Sequence, residues 1–238
     1  MKITKIDNVY QLSFLPHLFP INVYVVEEEK SLTVIDIGMK PFNKELKKLS
    51  TQLGKPIENL LLTHAHSDHV MGIHQFKALF PDVVISMSER EHRFIKEDFK
   101  FDADEAGYEL KGDYSKCNFE VDHLLKEGEH IGSLQVINTP GHSVGSISFW
   151  NSDNGFLIAG DSFQTKGRVA VSGDKVMTFP FPAIATGNKE AALKSAIKIK
   201  DLKPRVLAVG HGKMIEQPQT MIEKAIKRCE DERENQSR

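Results

Sequence analysis

One short stretch, THAHSDH at residues 63–69, holds three histidines and an aspartate within six positions. Neutral imidazole and carboxylate suit zinc and related divalent ions. His64 and His66 alternate by two, so an extended backbone would present both rings on one side. Asp68 and His69 follow where the pattern predicts a turn into a helix, which would aim them at a neighbouring position. The spacing therefore predicts that one segment feeds two adjacent metal ions.

Four further polar residues each follow an apolar run that is typical of a β-strand. The runs and the residues that follow them are LTVI before Asp36, VINTPG before His142, FLIAG before Asp161 and LAVG before His211. His64 likewise follows NLLLT. Side chains at strand ends and in the adjoining loops commonly build binding and catalytic sites. We therefore expect five strand ends to converge on one site.

The elements that must position these residues are recognisable along the chain. INVYVVEE and LTVIDIG are β-branched runs that predict a hairpin. Pro41 and Gly54 bound a predicted helix, and Ser88 with Glu91 forms a capping-box pattern for a polar helix through EREHRFIKE. A second group of strands runs from LQVINTPGH to GFLIAGD, and Asn188 is a predicted cap for the helix that follows.

Composition limits the classes of protein and partner. The 238 residues fit a single domain spanning residues 1–238, and a net charge of −2 argues against nucleic acid as a partner. No stretch approaches the roughly 18 apolar residues that span a membrane. The two cysteines, Cys117 and Cys229, are far apart, and the N-terminal residues lack the features of an export signal. We expect a cytoplasmic protein with a small-molecule substrate and no membrane partner, and the sequence leaves its oligomeric state open.

The pattern H-x-H-x-D-H, with later PGHS, AGDS and GHG segments, resembles the metallo-β-lactamase-fold hydrolase superfamily. The match runs from VIDIG to His211 in the family's order. The resemblance implies an α/β fold, a four-layer αββα sandwich with a two-metal site at its edge. It also implies the role of each polar residue: His64, His66 and His142 on one metal; Asp68, His69 and His211 on the second; Asp161 bridging both; and Asp36 orienting the ligand loop.

The resemblance also implies the chemistry of the site. Two divalent ions, with zinc expected and iron or manganese as alternatives, would activate a bridging hydroxide. That hydroxide would attack an ester, lactone or thioester. Asp68 is the candidate catalytic carboxylate, which would orient the hydroxide and carry a proton to the leaving group. No serine or cysteine nucleophile is needed.

The same resemblance leaves several kinds of protein open. Acyl-homoserine lactonases usually carry a tyrosine three residues after the bridging aspartate, where this chain has Gln164. Glyoxalase II thioesterases carry a helical domain after the last ligand, whereas here a single predicted helix follows His211. The alternatives are an iron persulfide dioxygenase-like oxidoreductase, which holds one metal, and a metal-binding module without turnover.

Residues outside the ligand motifs are candidates for contact with the substrate. Phe19, Gln164, Phe179 and Phe181 lie in or beside Pro-bounded segments near the predicted strand ends. Residues from about 86 to 125 form a long excursion that we interpret as a helical cap insertion over the site. The competing interpretations are core packing for the aromatic residues and a solvated excursion for the long segment. If the first interpretations hold, the substrate is small and has an apolar part.

Overall fold

Two β-sheets packed face to face form the centre of the protein, here a computed structural model that describes residues 1–114 and 119–236. Within these residues the first sheet has seven strands in chain order. Strands β1 to β4 pair antiparallel and β4 to β7 pair parallel. The strands are β1 (Lys2–Ile6), β2 (Val9–Phe14), β3 (Ile21–Glu27), β4 (Leu32–Ile35), β5 (Ile57–Leu61), β6 (Val84–Ser88) and β7 (His123–Leu125).

The second sheet, counted over the same ranges, has six strands in the order β15-β14-β11-β10-β9-β8, and β12 and β13 form a separate pair. In the described part of this six-stranded sheet, the β11–β14 pairing is parallel and the other four pairings are antiparallel. The strands are β8 (His130–Ile131), β9 (Leu134–Asn138), β10 (Ile147–Asn151), β11 (Phe156–Ile158), β12 (Phe163–Gln164), β13 (Ala170–Val171), β14 (Val206–Ala208) and β15 (Ile215–Glu216).

Helices cover the outer face of each sheet. Those beside the first sheet precede β8 in the chain, and α5, α6 and α7 belong to the second half. Short 3₁₀ turns occur at Ala103–Glu105 and Gly160–Ser162. The α-helices are α1 (Pro41–Leu53), α2 (Ser67–Val70), α3 (Ile73–Leu79), α4 (Glu89–Ile95), α5 (Phe181–Ile184), α6 (Lys189–Leu202) and α7 (Gln219–Gln236).

Strand β3 shows why the sequence folds into layers. Val23 and Val25 pack with the helices outside the first sheet, whereas Tyr24 and Val26 pack into the space between the sheets. Successive side chains of a strand point to opposite faces, so a strand buried on both faces is apolar throughout. Leu157 of β11 faces α6 and α7 in the same way. The predicted four-layer αββα sandwich is confirmed.

Several local predictions are also confirmed. Helix α1 has Pro41 in its first turn and ends at Gly54, which takes the left-handed conformation with φ of 64°. The side chain of Asn188 accepts a hydrogen bond from the Ala191 backbone and so caps α6. As a separate finding, none of the helices in residues 1–114 and 119–236 combines the length and hydrophobicity of a membrane span. The β1–β2 hairpin is an addition that the sequence patterns did not indicate.

The excursion from about 86 to 125, which we interpreted as a helical cap insertion, is largely non-helical in its described residues. Its first residues complete β6 and its last form β7, so both ends belong to the first sheet. Helix α4 follows β6, and the residues 96–114, which we call the strap, are irregular apart from one 3₁₀ turn and an isolated β-bridge from Tyr114 to His66. Cys117 lies outside the described residues.

Candidate metal centre

Five strand ends deliver polar side chains to one edge of the sandwich. Asp36 directly follows β4, and the segments after β5, β9, β11 and β14 carry the candidate ligands. The predicted turn after His66 is present, because His66 has an extended backbone and α2 begins at the next residue. Six of the seven candidate ligands are buried, and the side chain of Asp68 is 32% exposed. The structure therefore brings together all seven residues that the sequence selected.

His64, His66 and His142, which we call the three-histidine cluster, aim ring nitrogens at a common point. His64 Nε2 lies 3.1 Å from His66 Nδ1, which lies 3.0 Å from His142 Nε2. The outer nitrogens of two rings contact hydroxyls: His64 Nδ1 lies 3.0 Å from Thr63 Oγ1, and His142 Nδ1 lies 3.0 Å from Ser172 Oγ. These contacts fix which nitrogen of each ring faces the centre.

The strap fixes the third ring of this cluster. His66 Nε2 lies 2.9 Å from the Lys111 carbonyl oxygen, and the Ser67 backbone N–H donates to the Asp113 carbonyl at 2.8 Å. Gly112 lies between these residues with φ of 88°, and a Cβ there would lie 2.3 Å from His66 Nε2. Only glycine permits this close approach of backbone to ring.

Asp68, His69 and His211, which we call the mixed cluster, form the second group. His211 Nε2 lies 3.3 Å and His69 Nε2 lies 3.9 Å from Asp68 Oδ2. His211 Nδ1 lies 2.7 Å from the Pro20 carbonyl oxygen. The loop before β3 therefore orients this ring, as the strap orients His66.

Asp161 lies between the two clusters. Its Oδ2 is 3.3 Å from His142 Nε2 and 3.1 Å from His211 Nε2, and its Oδ1 is 3.5 Å from His69 Nε2. A Cβ on Gly210 would lie 2.0 Å from Asp161 Oδ1, so a larger residue at 210 would displace the carboxylate. The geometry is that of a carboxylate able to serve both groups.

Asp36 contacts the site from behind the ring of His69. One of its oxygens accepts the Thr63 backbone N–H at 2.8 Å, and the other lies 2.7 Å from His69 Nδ1. Asp36 has φ of 58°, a region that few residues other than glycine occupy. This backbone conformation coincides with a carboxylate that links the segment before His64 to His69, which is the arrangement expected for an orienting residue.

Comparison with known proteins agrees with this geometry. The model of the metallo-beta-lactamase superfamily matches residues 18–211. The chain belongs to the metallo-beta-lactamase superfamily. The uncharacterized protein YobT of Bacillus subtilis is 45% identical over 96% of this chain and 99% of its own length. The probable metallo-hydrolase YflN of the same organism is 26% identical over 80% of each chain.

More distant relatives match part of the chain, and solved structures share its fold. A hydroxyacylglutathione hydrolase of Bdellovibrio bacteriovorus is 26% identical over 62% of this chain and 46% of its own length. The crystal structure of TTHA1623 in a di-iron-bound form superposes with a TM-score of 0.65 at 24% identity, covering 88% of this chain and 95% of that one. The crystal structure of the metallo-beta-lactamase FIM-1 from Pseudomonas aeruginosa in its mono-zinc form superposes with a TM-score of 0.69 at 16% identity, with 95% of each chain covered.

The superfamily's divalent metals fit the residues present here. The candidate ligand atoms within each group lie within 4.8 Å of one another, and imidazole and carboxylate are suitable donors. His69 Nε2 and Asp161 Oδ1 are buried 3.5 Å apart, and neither has a hydrogen-bond partner among the described residues. Buried polar atoms are nearly always satisfied, so these two atoms are suited to contact a cation.

The two clusters differ in the protonation that their surroundings favour. Burial lowers the pKa of His142 to about 3 and that of His64 well below its usual value. Burial also acts on His211 and His69, but neighbouring carboxylates outweigh it. They raise the pKa of His211 to about 10 and hold that of His69 well above its usual value. The three-histidine cluster is therefore neutral at pH 7, whereas the mixed cluster holds protons that a cation would displace.

A cavity of about 360 Å³ opens onto both clusters. Asp68, Asp161 and three of the candidate histidines line its floor, and Gly112 and Asp113 of the strap form one side. Of the four predicted substrate contacts, Phe19 and Phe181 line the wall. The wall also includes the apolar residues Met39, Met71, Pro182, Ile184 and Ala185. The histidines of the floor are His66, His142 and His211, and the ring of His69 packs against that of His211.

The other two predicted contacts lie behind the wall. Phe179 is buried, with its ring centroid 5.0 Å from that of Phe19 and 5.2 Å from that of Phe181. Gln164 is also buried, and its Nε2 donates to the Phe179 carbonyl at 3.2 Å. In this structure they support the aromatic wall, and neither lines the cavity.

Glu91 is a residue beside the site that sequence reasoning did not select. The capping-box pattern is half correct: Ser88 Oγ accepts the Glu91 backbone N–H at 3.3 Å. The Glu91 side chain does not complete the box, because it is turned inward and accepts hydrogen bonds from Ala65 and Gly145. Local spacing carries no signal for these distant partners. Burial raises the pKa of this carboxyl group.

Proposed function

We propose that this chain is a metal-dependent hydrolase that acts on a small ester, lactone or thioester. The observation that carries the proposal is the pair of clusters that share Asp161 at the floor of an apolar cavity. Relatives named as metallo-hydrolases and as a hydroxyacylglutathione hydrolase support hydrolysis as the reaction class. The balanced charge supports a small-molecule substrate, and a cytoplasmic location remains part of the proposal.

The proposed ligands divide as the clusters do. The three-histidine cluster would hold one divalent ion, the mixed cluster the second, and Asp161 both. The ions, zinc in this proposal, would supply a hydroxide nucleophile near neutral pH and polarise the substrate's carbonyl oxygen. Asp36 would keep the His69 ring turned so that Nε2 faces the site.

Asp68 is the proposed catalytic carboxylate. Of the three aspartates that contact the candidate histidines, Asp36, Asp68 and Asp161, it is the most exposed, with 32% of its side chain accessible at the cavity. In this proposal its carboxylate would orient the nucleophile and pass a proton to the leaving group. Asp161 also lines the cavity but is buried, and Asp36 lies behind the ring of His69.

The cavity wall supports an uncharged, apolar acyl or aryl group in the substrate. Phe19, Met71, Phe181 and Ile184 present apolar surface, and none of the described lining residues is a lysine or arginine. Asp113 adds a carboxylate at the rim. A substrate carboxylate would therefore lose water without gaining a cationic side chain among these residues.

The experiment begins with metal content. Elemental analysis of freshly purified protein should give about two divalent ions per chain, with zinc predominant. A single tightly bound iron would favour the persulfide dioxygenase alternative. Two ions without turnover on any ester, lactone, thioester, phosphodiester or β-lactam would favour the non-catalytic metal-binding module.

The charge of the substrate is tested with a matched pair. The para-nitrophenyl esters of butyrate and succinate have acyl chains of equal length, one ending in methyl and the other in carboxylate. We expect kcat/KM to be lower for the succinate ester by about tenfold or more. Equal values would contradict the uncharged substrate while leaving hydrolysis intact.

The wall is tested by Phe181→Ala. It should raise KM for the butyrate ester by up to about tenfold and leave metal content unchanged, because it removes apolar contact. Met177→Ala is the control, since Met177 is equally apolar and 78% exposed but does not line the cavity. An unchanged KM in Phe181→Ala would remove this wall from the substrate site.

A further inference from the structure

Glu91, at the start of α4, is a buried carboxylate outside the cavity. Its side chain is fully buried, and the residue does not line the cavity or belong to either cluster. Burying a carboxylate costs free energy unless hydrogen bonds replace its water. The partners that provide those hydrogen bonds indicate why the residue is there.

Both carboxylate oxygens of Glu91 bind segments that carry candidate metal ligands. Oε2 accepts the Ala65 backbone N–H at 2.9 Å. Oε1 accepts the Gly145 backbone N–H at 2.8 Å and the Ser143 hydroxyl. A single side chain thus holds two loops that are 26 and 54 residues away from it in sequence.

The positions of these partners are specific to the three-histidine cluster. Ala65 lies between His64 and His66, and Ser143 directly follows His142. The first loop continues from β5 of the first sheet and the second from β9 of the second sheet. Glu91 therefore joins the two sheets at the point where three ring nitrogens must meet.

Helix α4 also fastens the strap that orients His66. Arg90 Nε donates to Glu105 Oε1 at 2.6 Å, and its Nη2 donates to the Lys100 carbonyl at 2.9 Å. The strap in turn presents the Lys111 carbonyl to His66. Through Glu91 the helix thus holds residues adjacent to all three histidines, and it also reaches His66 through the strap.

We propose that Glu91 is a positioning residue that sets the spacing of the three-histidine cluster and thereby its affinity for a divalent cation. The proposal rests on the proposed metal centre. Glutamine in this place keeps one acceptor oxygen and turns an NH₂ group toward backbone N–H donors or the Ser143 hydroxyl. At least one of the two loops would then lose its acceptor and shift.

The test is a Co²⁺ titration of metal-free protein followed by visible absorption. We expect Glu91→Gln to weaken the first Co²⁺ equivalent by about ten- to hundredfold and to change its absorption bands. Glu89→Gln is the matched control, because Glu89 lies in the same helix, undergoes the same chemical change and is exposed. It should behave as the wild type does.

Two further measurements separate positioning from general stability. The thermal midpoint of each metal-free variant reports loss of folding, whereas the Co²⁺ spectrum reports ligand geometry in the folded protein. Ser143→Ala removes one contact to Oε1 and is the second variant should Glu91→Gln not fold; a smaller shift of the same kind is expected.

Each outcome bears on one proposal. Wild-type protein that binds no Co²⁺ contradicts the metal centre. If wild type binds Co²⁺ and Glu91→Gln, or Ser143→Ala in its place, shows the same affinity and spectrum, the positioning role is wrong. A lower thermal midpoint with unchanged Co²⁺ binding assigns Glu91 to folding alone and likewise overturns the proposal.

Discussion

Each ring of the three-histidine cluster has its outer nitrogen against a neutral oxygen, whereas in the mixed cluster His69 faces the carboxylate of Asp36. Carboxylates also approach the inner nitrogens of the mixed cluster, through Asp68 and Asp161. One group is thus neutral and shaped by its loops, and the other is an ion network. The difference indicates that one edge of the sandwich holds two candidate metal-binding clusters, and that the histidines of the mixed cluster bind protons more tightly than those of the three-histidine cluster.

The largest effect is expected at Asp161, the residue that both clusters share. Asp161→Ala should lower the content of both metals and reduce turnover to background, because His142, His69 and His211 each lose a carboxylate neighbour. Metal analysis and kcat provide the measurement. Ser162→Ala is the neighbouring control and should change neither; an Asp161→Ala protein with two metals and full activity would remove the bridge.

The raised pKa values of His69 and His211 predict unequal proton release on metal loading. The first ion should enter the neutral three-histidine cluster with little proton release, and the second should release about two protons at pH 7. The second affinity should therefore fall by about a hundredfold per pH unit as the solution is acidified. Calorimetry in buffers of different ionisation enthalpy measures the count; equal release for both ions would contradict the distinction.

The same shifts affect the metal-free protein. A histidine whose folded pKa is raised stabilises the fold below its unfolded pKa of 6.5 and loses that contribution as pH rises through the folded value, about 10 for His211. The free energy of unfolding without metal should accordingly decline between these limits. Denaturant unfolding at stepped pH measures it.

Asp36 offers a change directed at the mixed cluster, because an asparagine oxygen can still accept the Thr63 backbone N–H beside His64. Asp36→Asn keeps the size of the side chain but removes the charge facing His69 Nδ1. We expect the second metal affinity to fall by about ten- to hundredfold with the first little changed, the reverse of the pattern for Glu91→Gln. Stepwise Co²⁺ titration of both variants makes the comparison, and an equal loss at both sites would show that the clusters are not independent.

The site was largely predictable because its residues are side chains with distinctive chemistry at the ends of apolar strands. Asp36 and His211 could be selected because each follows a run that the sequence predicts as a strand, here β4 and β14. The H-x-H-x-D-H motif could be selected because its residues lie within one short segment. The supporting contacts were not predictable, since Glu91 binds backbone N–H groups far along the chain. The Lys111 carbonyl on His66 is likewise a backbone group, which residue type does not reveal.

The smallest expected effect concerns Gln164, which lies on β12 just after Asp161 and belongs to neither cluster. Its interpretation as a substrate contact requires an open path, but its amide is buried and donates to the Phe179 carbonyl. Gln164→Tyr would have to displace the aromatic wall before a phenol could reach a lactone. We therefore expect no gain in lactone turnover from this substitution.

Gln164→Met is the sharper test, because methionine has similar volume and no hydrogen-bonding amide. It loses the bond to Phe179, worth about 1 kcal/mol, but also removes the Gln164 Oε1 atom, which is buried without a partner. The two effects offset, so stability should change by less than about 1 kcal/mol. Parallel assays should give kcat/KM on an aryl ester and on a lactone within about twofold of wild type. A large loss on the lactone alone would return Gln164 to the substrate site and place a third functional group beside the two clusters.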